Sequence, residues 1–137
     1  MLPRMLVGLS AAIILALGTI HLIYTFWGRK LLPRDPELRS HMNDVCPVIS
    51  DQTTMWKAWV GFNASHSMGA ILFGLIYGYL SVFEADLLFG SIFLVSVGIA
   101  MLVGLVLLGK RYWFNVPFTG IWISLVCFLG GVATWWL

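Results

Sequence analysis

Two histidines stand inside apolar stretches of this sequence, His21 near the end of the first and His66 within the second. Hydrocarbon offers no partner to a polar group, so ionisable side chains at that depth pair with one another or serve a site. On a helix, His66, Ala70, Gly74 and Gly78 follow one another at four-residue steps, and Asn63 lies one turn from His66 on the same side. His21 lies six residues before Trp27 and His66 ten after Trp56. At 1.5 Å per residue their depths differ by about 6 Å, which lets the two rings meet. The same layer collects Tyr24 and Thr25 from the first stretch, Ser65 and Ser67 from the second, and Asn115 and Thr119 from the last. It reads as the only polar cluster within the apolar segments.

Several chemistries fit such a layer. Two neutral imidazoles on facing helices of a bundle are an arrangement that holds haem b through both axial positions. A quinone, a lipid or another hydrophobic small molecule would instead take hydrogen bonds from His and Asn, with Phe62 and Phe73 as walls. A membrane enzyme acting on a lipid or quinone would use His66 as acid-base group and Asn63 as an orienting donor. The structural alternative is a plain interhelical hydrogen bond, worth under about 1 kcal/mol on average in membranes. One His per helix has no spacing signature of the H-E-x-x-H kind, and no carboxylate lies inside an apolar run to serve as partner. His41 falls in a polar connection, Cys46 beside it, and Cys127 in the last apolar run, so neither a disulfide framework nor a metal motif follows.

The elements that must position these residues are legible from composition. Of 137 residues, 60% are hydrophobic and 10% charged, which excludes a soluble domain with a polar surface and leaves no basic patch for nucleic acid. A span needs about 20 apolar residues, and four fit here, at about 5–27, 53–83, 87–108 and 112–136. The fold class is therefore all-α: a polytopic membrane protein, a four-transmembrane-helix bundle in one domain. The first run follows a short basic start yet is too long for a secretory signal, so it reads as a retained span. Small residues at four-residue spacing, Gly8, Ala12 and Ala16 in the first span and the His66 to Gly78 row in the second, are expected to seat neighbouring helices. Gly98, Ala100 and Gly104 offer the same in the third.

Residues 28–52 form the one long connection. Asp35 followed by Pro36 reads as N-cap and first helical residue, with Glu37 favourable at the positive end of a helix. Leu38, Met42 and Val45 fall on one face, so a short amphipathic helix over 36–45 is expected to lie on the membrane surface and to stop at Cys46-Pro47. Ser50 or Asp51 would cap the second span, and Glu84-Ala85-Asp86 would be a bare turn. Of the eight Lys and Arg residues, only Arg4 falls at one membrane face; Arg29, Lys30, Arg34, Arg39, Lys57, Lys110 and Arg111 fall at the other. The positive-inside rule then places the long loop in the cytoplasm, with both termini outside.

The segments Leu31-Leu-Pro-Arg-Asp-Pro-Glu-Leu38, Thr53-Thr-Met-Trp-Lys-Ala-Trp59, Gly61-Phe-Asn-Ala-Ser-His66-Ser-Met-Gly69 and Arg111-Tyr-Trp-Phe114 resemble those of a family of small bacterial four-span membrane proteins with no established activity. The resemblance runs over most of the chain and implies a self-contained four-span unit in a bacterial inner membrane. It carries no catalytic residues over. The residues favour a non-enzymatic protein that binds a hydrophobic ligand or joins a larger membrane complex or homodimer. Its ligand site would be the layer of His21, Tyr24, Thr25, Asn63, Ser65, His66, Ser67 and Asn115. A haem b electron-transfer module and a lipid or quinone enzyme are the rivals.

Overall fold

Every element of the chain is helical in the computed structural model, which describes residues 1–137: α1 (Leu2–Phe26), α2 (Pro36–Asp44), α3 (Met55–Phe83), α4 (Ala85–Gly90), α5 (Ile92–Tyr112) and α6 (Asn115–Trp136). Helices α1, α3, α5 and α6 are each long and apolar enough to cross a membrane. At most 39% of the residues in any of their apolar windows are buried against protein. Exposed side chains such as Phe62, Phe93, Leu107 and Trp122 face outward, as they must where lipid is the solvent. This is a polytopic membrane protein with a short helix in its first connection.

The boundaries differ from the sequence reading where side chains cap helices. The third span starts at Ile92, five residues later than expected, because Ser91 leaves helical geometry (φ −101°, ψ 103°) and its hydroxyl accepts the Leu94 N–H at 3.3 Å. The residues before it make α4, so the expected bare turn is a helical segment that buries Ala85, Leu88 and Phe89. Neither Ser50 nor Asp51 caps α3. Thr54 does, accepting from the Lys57 N–H at 3.3 Å, while Ser50 serves a local turn with the Gln52 N–H. The start of α2 is as expected: Asp35 accepts from the Glu37 N–H at 2.9 Å and Pro36 stands at the first helical position. No residue of α2 is buried, so the chain itself leaves its apolar face uncovered. Gly28, just past α1, has φ +94°, a left-handed conformation that glycine adopts without a Cβ clash.

The residues cluster into two compact units, Met1–Leu17 with Ala70–Leu137, and Gly18–Gly69. In the first, Val7, Ala11 and Ile14 of α1 form one core with Phe73 and Tyr77 of α3, Leu88 and Phe89 of α4, Leu102 of α5, and Leu125 and Phe128 of α6. Two crossings in it depend on bare glycine. A Cβ on Gly74 would stand 2.6 Å from Leu15 Cβ, and one on Gly131 would stand 2.7 Å from Val7 Cγ2 and 2.9 Å from the Pro3 carbonyl oxygen. Of the small-residue ridges, that of α3 seats a neighbour at Ala70 and Gly74, that of α1 meets α3 at Gly8, where a Cβ would stand 3.3 Å from Ser81 Oγ, and that of α5 meets the Phe128 ring of α6 at buried Gly98, whereas Ala12, Ala16 and Ala100 are exposed and Gly104 has open space about it. The helix α1 instead presents Val7, Ser10, Ala11 and Ile14 inward. At one end of this unit Arg4 approaches Asp86 at 3.7 Å, Trp135 stacks on Phe89 at 4.5 Å, and the Trp136 indole donates to the Phe89 carbonyl at 3.3 Å.

The second unit contains no member of that apolar core. It consists of the last turns of α1, the connection with α2, and the first turns of α3. Trp59 donates from its indole nitrogen to the Leu31 carbonyl at 3.2 Å, Arg39 lies over the Trp56 ring at 5.4 Å, and the Met55 N–H donates to Val45 O at 2.8 Å. These three contacts fasten the connection to the start of α3.

Candidate polar site on the first and second spans

The site is built within residues 18–69 from two helix faces. On α1, His21 stands one turn before Thr25, whose hydroxyl donates back to the His21 carbonyl at 2.8 Å and so is satisfied without a tertiary partner. On α3, Asn63 uses its amide nitrogen in the same way, donating to the Trp59 carbonyl at 2.8 Å. That bond fixes which end of the amide is which and turns Oδ1 toward α1, where it lies 3.0 Å from His21 Nε2. Because Oδ1 can only accept, His21 carries its proton on Nε2 and donates it to Asn63. The neutral ring then keeps Nδ1 as an acceptor.

One turn beyond Asn63, the His66 ring meets that of His21 edge to face, with centroids 5.4 Å apart and planes at 88°. His21 is half-buried and His66 exposed. Ser67 is fully buried and donates to the Asn63 carbonyl at 2.8 Å, so its hydroxyl is satisfied within its own helix. Ser65 is exposed and donates to the Phe62 carbonyl at 3.1 Å, so it is turned along its own helix. Tyr24 and Thr25 line a crevice beside Asn63 that Trp56, Trp59 and Leu31 close from the other side. Its volume of about 10 Å³ is room for about one water molecule, far below that of a quinone ring.

Asn115, the eighth residue expected in this layer, is the exposed first residue of α6 and belongs to the other unit, as does exposed Thr119. His41 is exposed on the last turn of α2, and Cys46 is exposed with its thiol toward the Asp51 carbonyl at 3.6 Å. Nowhere do three or more His, Cys, Asp or Glu side chains converge as they would around a metal ion.

Haem b does not fit the pair as it stands. A porphyrin between two axial imidazoles holds the rings apart with one nitrogen of each aimed at the iron. Here the rings touch edge to face, with centroids 5.4 Å apart, which leaves no gap for a porphyrin between them; the bond from His21 Nε2 to Asn63 leaves Nδ1 bare and does not itself oppose ligation. The arrangement can instead present imidazole nitrogens, one oriented by an amide, to the carbonyl or hydroxyl of a ligand that arrives on the exposed side of His66.

The reading of one polar cluster misses a second. Ser10 and Ser124, both fully buried in the other unit, lie with hydroxyl oxygens 2.7 Å apart, and Ser124 Oγ is also 3.1 Å from the Ser10 carbonyl oxygen. A lone serine flanked by apolar residues in each of the first and last runs is the available signal. Trp59 and the Leu31 carbonyl, which close the crevice, carried none, because a backbone acceptor in a loop leaves no mark in sequence.

The fold and the site define a multi-pass helical membrane protein with a small polar site at one pair of helices. Set against family models, curated proteins and solved structures, the chain gives no match, and its class rests on its own architecture.

Proposed function

We propose that this chain is a small non-enzymatic membrane protein that binds an amphiphile through the polar head of a quinone or lipid, at His21, Asn63 and His66. The observation that carries this reading is the edge-to-face His21–His66 contact, with His21 oriented by Asn63 and His66 exposed. His66 lies ten residues past Trp56, about 15 Å along the helix, a depth at which an ionisable side chain is by default a functional-site candidate. The crevice beside Asn63 is too small for a ring, so the ligand would approach from the flank, against exposed Phe62.

The test is mass spectrometry of lipids and quinones retained by protein purified in mild detergent, for the parent chain, His66→Ala and His41→Ala. One species retained at a fixed ratio by the parent and His41→Ala, and lost from a folded His66→Ala, is the expected result. Equal retention in all three overturns the reading. A second reading, an accessory subunit or homodimer, is favoured by the exposed Ala12 and Ala16, which leave α1 a smooth outer face for another helix. A protein partner copurifying at fixed ratio would support it. The resemblance noted above and the distribution of basic residues support a bacterial inner membrane with both termini outside.

A further inference from the structure

Away from the termini, the most exposed large apolar residues in the chain are two neighbours in the connection after α2, Val48 at 109% and Ile49 at 92% relative exposure. They are the central residues of a tight turn closed by the Ser50 N–H donating to the Pro47 carbonyl at 3.1 Å. Turns in water favour Gly, Asn, Asp or Ser at such positions, so two β-branched side chains there are out of keeping with an aqueous tip. The foot of the turn is fixed. Cys46 Sγ points to the Asp51 carbonyl at 3.6 Å, and the Met55 N–H donates to Val45 O at 2.8 Å, which ties the turn to the first residue of α3.

That tie sets the level of the tip. From Val45 to Val48 the chain reaches about 10 Å at most. The helix α3 opens with Trp56 and Trp59, and tryptophans of this kind mark the membrane interface. The interfacial layer on each side of the hydrocarbon is itself several ångströms thick, so the tip is within reach of it. Charge does not draw it there: residues 18–69 carry five basic side chains (Arg29, Lys30, Arg34, Arg39, Lys57) and four acidic ones (Asp35, Glu37, Asp44, Asp51), a net of +1. Asp44 and Asp51, both exposed, are the charges nearest the turn in sequence. An anionic surface would therefore gain little from this element, and apolar contact must hold it.

We propose that Val48 and Ile49 insert into the boundary between headgroups and acyl chains of the bilayer that α3 crosses, and that zwitterionic lipid suffices. The connection is then a loop pinned at both edges, to α3 by Trp56, Trp59 and Met55, and to lipid by its tip. This stands independently of the amphiphile site, since it concerns neither His21 nor His66.

The experiment labels Ile49→Cys with an environment-sensitive fluorophore in a Cys46→Ser, Cys127→Ser chain, reconstituted alone in phosphatidylcholine vesicles. Blue-shifted emission, quenching by nitroxides placed high on the acyl chain, and protection from aqueous iodide are expected. Adding Val48→Asp should shift the emission to the red and raise iodide quenching several-fold, with the melting temperature unchanged. Free access of iodide with no nitroxide quenching overturns the proposal. So does insertion that needs anionic lipid, or protection seen in native membranes but lost in vesicles of the pure protein, which would assign the tip to a protein partner.

Discussion

Gly74 brings the backbone of α3 onto α1 at Leu15: a Cβ at position 74 would stand 2.6 Å from Leu15 Cβ and 2.9 Å from both Leu15 Cα and the Ala11 carbonyl oxygen. None of these atoms sits at the far end of a flexible side chain, so the helices themselves must part to admit a methyl group. Gly74→Ala is expected to destabilise the protein by about 1–3 kcal/mol, the usual cost of overpacking. Gly104→Ala, where nothing lies within 4 Å, should leave stability unchanged or slightly raised. Thermal unfolding in one detergent decides the matter, and equal melting of the two variants would count against the close crossing.

The buried Ser10–Ser124 pair makes a second, smaller prediction. Each hydroxyl has the other within 2.7 Å, and neither has water to turn to. Interhelical bonds of this kind average about 0.6 kcal/mol in membranes, with a maximum near 1.7. Ser10→Ala and Ser124→Ala should each cost within that range, and the double variant should cost less than their sum. Strict additivity in a double-mutant cycle would mean that the two hydroxyls do not interact.

How far the sequence carried the structure depended on whether a residue's partner was local. The four spans and the Asp35–Pro36 helix start follow from hydropathy and cap chemistry, properties of one segment at a time. The helix break at Ser91 and the replacement of Ser50 or Asp51 by Thr54 as cap do not, because several hydroxyls compete for each helix end and packing selects one. Of the ridge of Gly8, Ala12 and Ala16, only Gly8 meets another helix, at Ser81, for a related reason. Small residues permit an approach without requiring one, and α1 turned its Val7, Ser10, Ala11 and Ile14 face inward instead.

The tautomer of His21 offers a direct test of the polar site. Asn63 Oδ1 accepts from His21 Nε2, so the neutral ring should hold its proton on Nε2, with Nδ1 bare. Nitrogen NMR on histidine-labelled protein should report that tautomer as dominant for His21. In Asn63→Leu, which keeps a similar volume and removes the acceptor, the population should shift toward a mixture. A His21 signal indifferent to that substitution would dissociate the two residues and remove the orienting role given to Asn63.

Orientation across the membrane can be tested through the ends of the chain. Seven of the eight Lys and Arg residues lie in the first connection, at the start of α3 or at the end of α5, and the eighth, Arg4, is paired with Asp86 at 3.7 Å. Acidic residues count for little in setting orientation, so Asp86 leaves the seven-to-one asymmetry of the basic residues as it stands. A C-terminal fluorescent protein that folds only in the cytoplasm should stay dark, and a C-terminal phosphatase that needs the outer compartment should be active. Inserting three lysines after Met1 should lower the phosphatase signal severalfold by competing with the loop for the inner face. A bright fluorescent fusion on the parent chain would reverse the orientation and put Val48, Ile49 and the surrounding basic residues on the outer surface.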